Sequence, residues 1–234
     1  MKSTLHGQHL IKLTRYGMVN CYLVREDDGF TLVDTGLAGS AKSIVAAAAV
    51  HGGSIVRIVL THAHNDHVAS LDALKQTLPE VEVAITTRDA RFLAGDLSLD
   101  PDEPPAKLRG GYQQCQTKPT RLLEPGERIG SLEVVASPGH TPGHAALFDI
   151  RDKTLIAGDA FQTLGGIAVA GVLRWLFPLP AMATWHKPTA LQSAQALRSL
   201  DPARLAVGHG QVLEAPLAAM DQAIKVAQSK FETA

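Results

Sequence analysis

Cysteine is nearly absent: Cys21 and Cys115 are the only two in 234 residues, far apart and without a C-x-x-C neighbour. That argues against a disulfide framework and against a thiolate zinc site, and both thiols are expected to be buried or incidental. Charge of one sign is lacking too. The formal charge is −1, and the 22 basic residues are scattered rather than gathered into a stripe, so no polyanion-binding surface and no nucleic-acid partner are expected. No apolar run approaches the length that spans a bilayer, and Met1-Lys2-Ser3-Thr4-Leu5-His6-Gly7-Gln8 turns polar where a signal peptide needs its apolar core. The expectation is a soluble, cytoplasmic protein with no membrane partner. No fixed-period repeat or low-complexity segment stands out.

What is present is apolar material for one sizeable core, 45% hydrophobic against 19% charged residues, and we read residues 1–234 as a single domain. Within it, Thr61-His62-Ala63-His64-Asn65-Asp66-His67 crowds three imidazoles and a carboxylate into six positions. At this composition such a pattern arises by chance in roughly one chain in a thousand. Metal ligation explains it better than a polar loop that happens to be rich in histidine.

Along the chain, His9 to Leu13, Val19 to Val24 and Phe30 to Val33 alternate like short antiparallel strands. Ala38 to Val50 reads as an alanine-rich helix and Ile55 to Leu60 as a buried strand, so the histidine cluster follows a strand end. Val68, Leu71, Leu74 and Leu78 have helical spacing, which places Asp66 and His67 near a helix N-terminus; Val81 to Ile85 is the next strand. A short helix, Arg88 to Leu93, leads into the proline- and glycine-rich Asp96 to Pro119. The region from about 88 to 119 is either a substrate-contacting lid or a plain surface excursion. Strands resume at Thr120 to Leu123, Leu132 to Ala136, Ala145 to Asp149, Thr154 to Ala157 and Arg204 to Val207, with helices at Thr189 to Leu200 and Pro216 to Phe231. The apolar segment from about 161 to 185 is too short and too proline-rich to span a membrane. It is left with three uses: lining a pocket, forming a homodimer contact, or packing in the core.

Strand ends thus deliver His62, His64, Asp66 and His67, then His140, Asp159 and His209. Five imidazoles and two carboxylates, with no thiolate among them, are enough for two metal ions.

The motifs H-x-H-x-D-H, G-H-T-P-G-H, G-D and G-H-G follow in order, and on them the chain resembles the metallo-β-lactamase fold superfamily, in its dinuclear, glyoxalase-II-like and lactonase-like branch. The resemblance implies an α/β (α+β) fold, a four-layer αβ/βα sandwich of two mixed β-sheets flanked by helices. It also implies that His62, His64 and His140 bind one ion, that Asp66, His67 and His209 bind the other, and that Asp159 bridges them. Two divalent ions, Zn2+ with Mn2+ or Fe2+ as alternatives, would share a hydroxide as the nucleophile, with Asp66 orienting it and shuttling its proton. Asp34 and Thr61 are placed to orient ligand imidazoles by hydrogen bonds, Asp34 having a helix cap or turn as its alternative, and His144 reads as a supporting imidazole rather than a ligand.

For the substrate, Asp159 stands where β-lactam-cleaving relatives have Cys or Ser. Ala160-Phe161-Gln162-Thr163-Leu164-Gly165-Gly166 lacks both the basic and tyrosine residues that hold glutathione and the tyrosine of lactonase-like relatives. A phosphodiesterase would need a basic platform that is missing. The expectation is a hydrolase acting on a small ester, lactone or thioester with a hydrophobic part, with Tyr112, Phe161, Trp175 and His186 as candidate pocket residues. A mononuclear iron enzyme like the persulfide dioxygenases is the alternative. A non-catalytic binding protein would have lost ligands, and none is missing.

Overall fold

The computed structural model describes residues 1–232. Alternating apolar residues set its opening: β1 (Lys2–His6), β2 (Leu10–Arg15), β3 (Val19–Glu26) and β4 (Gly29–Val33) form an antiparallel meander. α1 (Ala41–Val50) follows, its alanines losing no side-chain entropy on helix formation, and turns Ala41, Ile44 and Ala48 inward. β5 (Ile55–Val59) then lies parallel to β4, with Leu32 opposite Ile58 and Val33 opposite Val59. After α2 (Asn65–Val68) and α3 (Leu71–Thr77), β6 (Glu82–Thr86), α4 (Thr87–Leu93) and β7 (Arg121–Leu123) complete a seven-stranded sheet in the order β1 to β7, parallel from β4 onward. Met1–Asp96 and Tyr112–Glu124 make up this first compact unit.

Leu97–Gly111 and the chain from Pro125 onward make up the second. It contains β8 (Arg128–Ile129), β9 (Leu132–Ala136), β10 (Ala145–Asp149), β11 (Thr154–Ile156), β12 (Phe161–Gln162), β13 (Ala168–Val169), α5 (Leu179–Met182), α6 (Lys187–Ser199), β14 (Arg204–Ala206), β15 (Leu213–Glu214) and α7 (Leu217–Glu232). The sheet runs β15-β14-β11-β10-β9-β8, with β11 and β14 its one parallel pair among the described residues, while β12 and β13 form a separate ribbon. Its core gathers Leu155, Phe161, Val169, Leu197, Leu205 and Met220, each such side chain contributing about 1.5–3 kcal/mol by leaving water.

Two mixed sheets with helices were the expected class, and that is what the chain forms. The short elements β8, β12, β13, β15 and α5 were not expected, and two further details differ from the sequence reading. The single helix expected from Val68 to Leu78 is broken after Val68, because the Ser70 hydroxyl donates to Leu37 O at 2.7 Å and accepts the Ser40 N–H at 2.9 Å. These bonds to the loop after β4 hold Ser70 out of helical geometry, at φ −102° and ψ 5°. The edge strand β1 was also missed; Lys-Ser-Thr-Leu-His is largely exposed and carries no apolar alternation.

Residues 97–120 contain no helix or strand, as the irregular sequence suggested. Among the described residues no helix is long and apolar enough to cross a membrane.

Candidate metal centre

In the first unit, parallel neighbours β4 and β5 end side by side, which brings Asp34 to Thr61. Asp34 sits at φ +60°, a left-handed conformation that Asp adopts more readily than most residues, and this turns its carboxylate back across the strand ends. The carboxylate accepts the Thr61 N–H at 2.8 Å, the Thr61 O–H at 2.9 Å and the His67 Nδ1–H at 2.8 Å. With its proton committed to Asp34, the Thr61 hydroxyl accepts from His62 Nδ1 at 3.0 Å. This network assigns both imidazoles the Nδ1–H tautomer and leaves the lone pair on Nε2. Thr35 holds the other end of His67, its N–H and O–H donating to His67 O at 2.7 and 2.9 Å.

The three histidines are buried together. The His62 ring lies 4.1 Å from that of His67 and 4.9 Å from that of His64, and Asp66 Oδ2 lies 3.8 Å from His67 Nε2. Ala63, between two of them, donates its N–H to Asp89 at 2.9 Å. Asp89 is fully buried in the first turn of α4, its own N–H held by Thr86 at 3.3 Å. Sequence reasoning missed it, although Thr86-x-x-Asp89 is a helix-start pattern that could have drawn attention.

In the second unit, Ser137 to His144 joins β9 to β10 and lies on the start of α6. Gly139 has φ +129°, and a Cβ there would sit 2.3 Å from Ala190 N, so only glycine fits. Ser193 Oγ donates to Pro138 O at 2.6 Å. The Thr184 hydroxyl gives its proton to Pro180 O at 2.8 Å and therefore accepts from His140 Nδ1 at 3.2 Å. His140 thus has the same tautomer as His62 and His67. Its Nε2 lies 3.3 Å from Asp159 Oδ2, and His209 Nε2 lies 3.1 Å from the same oxygen. The Asp159 N–H donates to His144 Nε2 at 3.1 Å, which places the His144 proton on Nδ1, toward Ser137 Oγ at 2.8 Å. With both ring nitrogens engaged, His144 braces Asp159. Thr184 and Ser137, which do this orienting, carry no motif of their own and were not singled out in the sequence.

Imidazole Nε2 lone pairs and carboxylate oxygens, buried and without thiolate, suit divalent zinc, manganese or iron. Each ring whose tautomer is assigned is turned by a hydrogen bond at its other nitrogen, as metal-binding histidines usually are. The residues present fit such ions.

The four candidate pocket residues go to different places. Tyr112 forms an isolated bridge to His64, its ring 4.7 Å from that imidazole and 4.9 Å from Phe92. His186 lines a cavity of the second unit, its pKa lowered by burial. Phe161 packs in that unit's core, whereas Trp175 is 89% exposed. The apolar segment is therefore part core and part surface.

The sequence profile of the Metallo-beta-lactamase superfamily matches residues 14–209, and the chain belongs to that superfamily. Among its relatives is the uncharacterized protein YobT of Bacillus subtilis (strain 168), 52% identical over 211 residues, 90% of this chain and 91% of that one. The probable metallo-hydrolase YflN of the same strain is 29% identical over 214 residues, 82% and 81% of the two chains. The solved structure of TTHA1623 in a di-iron-bound form is 26% identical, with a TM-score of 0.62 over 88% of this chain and 94% of the other.

Proposed function

We propose that the chain is a two-metal hydrolase acting on an ester, lactone or thioester with an apolar part. His62, His64 and His140 would hold one ion and Asp66, His67 and His209 the other, with Asp159 serving both, as the family resemblance implies. The observation that carries this reading is the shared tautomer of His62, His67 and His140. In each, the Nδ1 proton is tied to an oxygen, so that Nε2 is the donor atom.

Divalent ions, when bound, supply an acidified water and polarise a carbonyl; zinc is the first expectation. The protein's own residues do the rest. Asp34 and Thr61 fix the rings of His62 and His67, and His144 fixes the backbone of Asp159. Asp66, with 28% of its side chain exposed, has the access to water needed to accept and release a proton.

The ester-type preference is supported by Asp159 in place of Cys or Ser, by the scattered basic residues, and by the apolar character of residues 161–185. The test is a panel of acyl thioesters, lactones and aryl esters, offered to chelator-stripped protein reloaded with zinc, manganese or ferrous iron. Turnover of at least one class that disappears with chelator and in Asp66→Asn is expected. A protein holding two ions that leaves the whole panel untouched would refute the reading, and one iron with oxygen uptake would favour the dioxygenase alternative.

A further inference from the structure

The apolar segment of the second unit divides its side chains between core and surface. Phe177, Pro180 and Ala181 are buried, while Trp175 is 89% exposed, Leu176 85%, Leu179 61% and Met182 60%. Among the described residues, the other large apolar side chains left exposed are spread from Met1 to Ile150. Scattered single residues of that kind are ordinary, but Trp175, Leu176, Leu179 and Met182 fall within one short stretch and mark an interaction surface.

The stretch is held in place. The Arg174 guanidinium donates to Ile167 O, the Phe177 N–H to Arg174 O at 3.0 Å, and Gln162 Nε2 to Phe177 O at 3.4 Å. The Phe177 ring lies 5.1 Å from that of His209, and an added Cβ on Gly165 would lie 3.1 Å from Leu176 Cβ. Leu179 and Met182, three positions apart on α5, share one helix face. A surface fixed in this way loses little conformational freedom when it is covered.

Two properties select the occupant. From Trp175 to His186 the sequence contains no Asp, Glu, Lys or Arg. A two-fold contact sets the same patch of each copy against the other, so an uncharged surface meets itself without like-charge repulsion. A lipid surface, by contrast, is bound by apolar residues accompanied by Lys and Arg. The area fits as well. At their exposures the four residues present roughly 600 Å², and two copies would bury about 1,200 Å², the lower end of stable specific interfaces. We propose that this patch is the contact between two copies of the chain, related by a two-fold axis, with Trp175 as its main anchor. The contact does not depend on the hydrolase reading.

Analytical ultracentrifugation of the full chain over a concentration series tests this. Twice the chain mass is expected, with half-dissociation at about micromolar concentration or below. Acrylamide quenching of tryptophan fluorescence should fall as the dimer forms, because Trp175 becomes covered while Trp185 is already buried. Trp175→Ser/Leu176→Ser, checked for an unchanged melting temperature, should weaken association at least about thirtyfold. Leu179→Asp/Met182→Asp should weaken it as well, by setting like charges across the axis. Ile150→Asp, at an exposed apolar residue of the same unit outside the patch, should leave association unchanged. A single-chain mass at about 100 μM, or a dimer that both double variants leave intact, would overturn the proposal. So would a single-chain mass with Trp175-dependent sedimentation on vesicles of phosphatidylcholine and phosphatidylglycerol, which would assign the patch to lipid.

Discussion

Replacing Asp34 by Asn exchanges one carboxylate oxygen for an NH2 group and tests how the imidazoles are oriented. Oδ1 of the carboxylate accepts the Thr61 N–H at 2.8 Å and Oδ2 accepts the His67 Nδ1–H at 2.8 Å. An amide has one acceptor, so in either flip its NH2 faces one of these two donors. If the oxygen stays on Thr61, His67 must move its proton to Nε2, the atom proposed to bind metal. One charge-assisted hydrogen bond is lost, about 1.5–3 kcal/mol, and metal affinity should fall about 10–100-fold, as it does when an orienting partner is removed. Competition with a chromophoric chelator measures that affinity, and imidazole nitrogen NMR reads the tautomer. A folded Asp34→Asn protein with wild-type metal affinity and an Nδ1–H signal for His67 would refute the orienting role.

His144→Ala leaves the buried Asp159 N–H without its acceptor, and chemical denaturation should show a loss of about 1–3 kcal/mol. The Tyr112 hydroxyl is buried without a hydrogen bond, and burial, then the charge of Asp89, pushes its pKa above the ordinary phenol value. Tyr112→Phe should therefore keep stability within about 1 kcal/mol and keep activity, and a folded but inactive Phe variant would show that the hydroxyl takes part. Burial, then the charge of Asp72, pushes the Cys115 thiol up to about 11, and burial, then the charge of Asp34, raises Cys21 further. Both stay protonated at pH 8, so a thiol reagent should label neither in the native protein and both after denaturation. For Asp72, burial acts upward, but hydrogen bonds from the Thr117 side chain and from the N–H groups of Gln116 and Thr117 together bring its pKa below the ordinary value. A depressed carboxylate stabilises the fold above its unfolded pKa, about 3.9, and that contribution fades as pH falls through the folded value. Amide exchange at Gln116 and Thr117, corrected for the intrinsic rate, should accelerate below about pH 4 in this protein.

The sequence made the proposed ligands legible because each lies just past a strand whose β-branched or apolar run is itself readable, as with Ile55–Val59 before His62 and Arg204–Ala206 before His209. Other features depend on tertiary partners that no local pattern records. Ser70 breaks a helix because Leu37 and Ser40 are beside it. Thr184 meets His140 across 44 residues of sequence, and Asp89 meets Ala63 across 26. The two-residue strands β8, β12, β13 and β15 are too short to show any period. Phe161 and Trp175 look alike as aromatic residues of one apolar segment, yet pairing in β12 takes the first into the core while the second stays in solvent.

The central claim, that the proposed histidine and carboxylate ligands serve a pair of ions, is tested most directly by counting metal per chain. Elemental analysis of protein saturated with zinc and freed of excess should give about two ions in the wild type, and fewer in Asp159→Ala, which removes the carboxylate proposed to serve both. One ion or none in the wild type, or two ions retained with unchanged affinity in Asp159→Ala, would contradict the account.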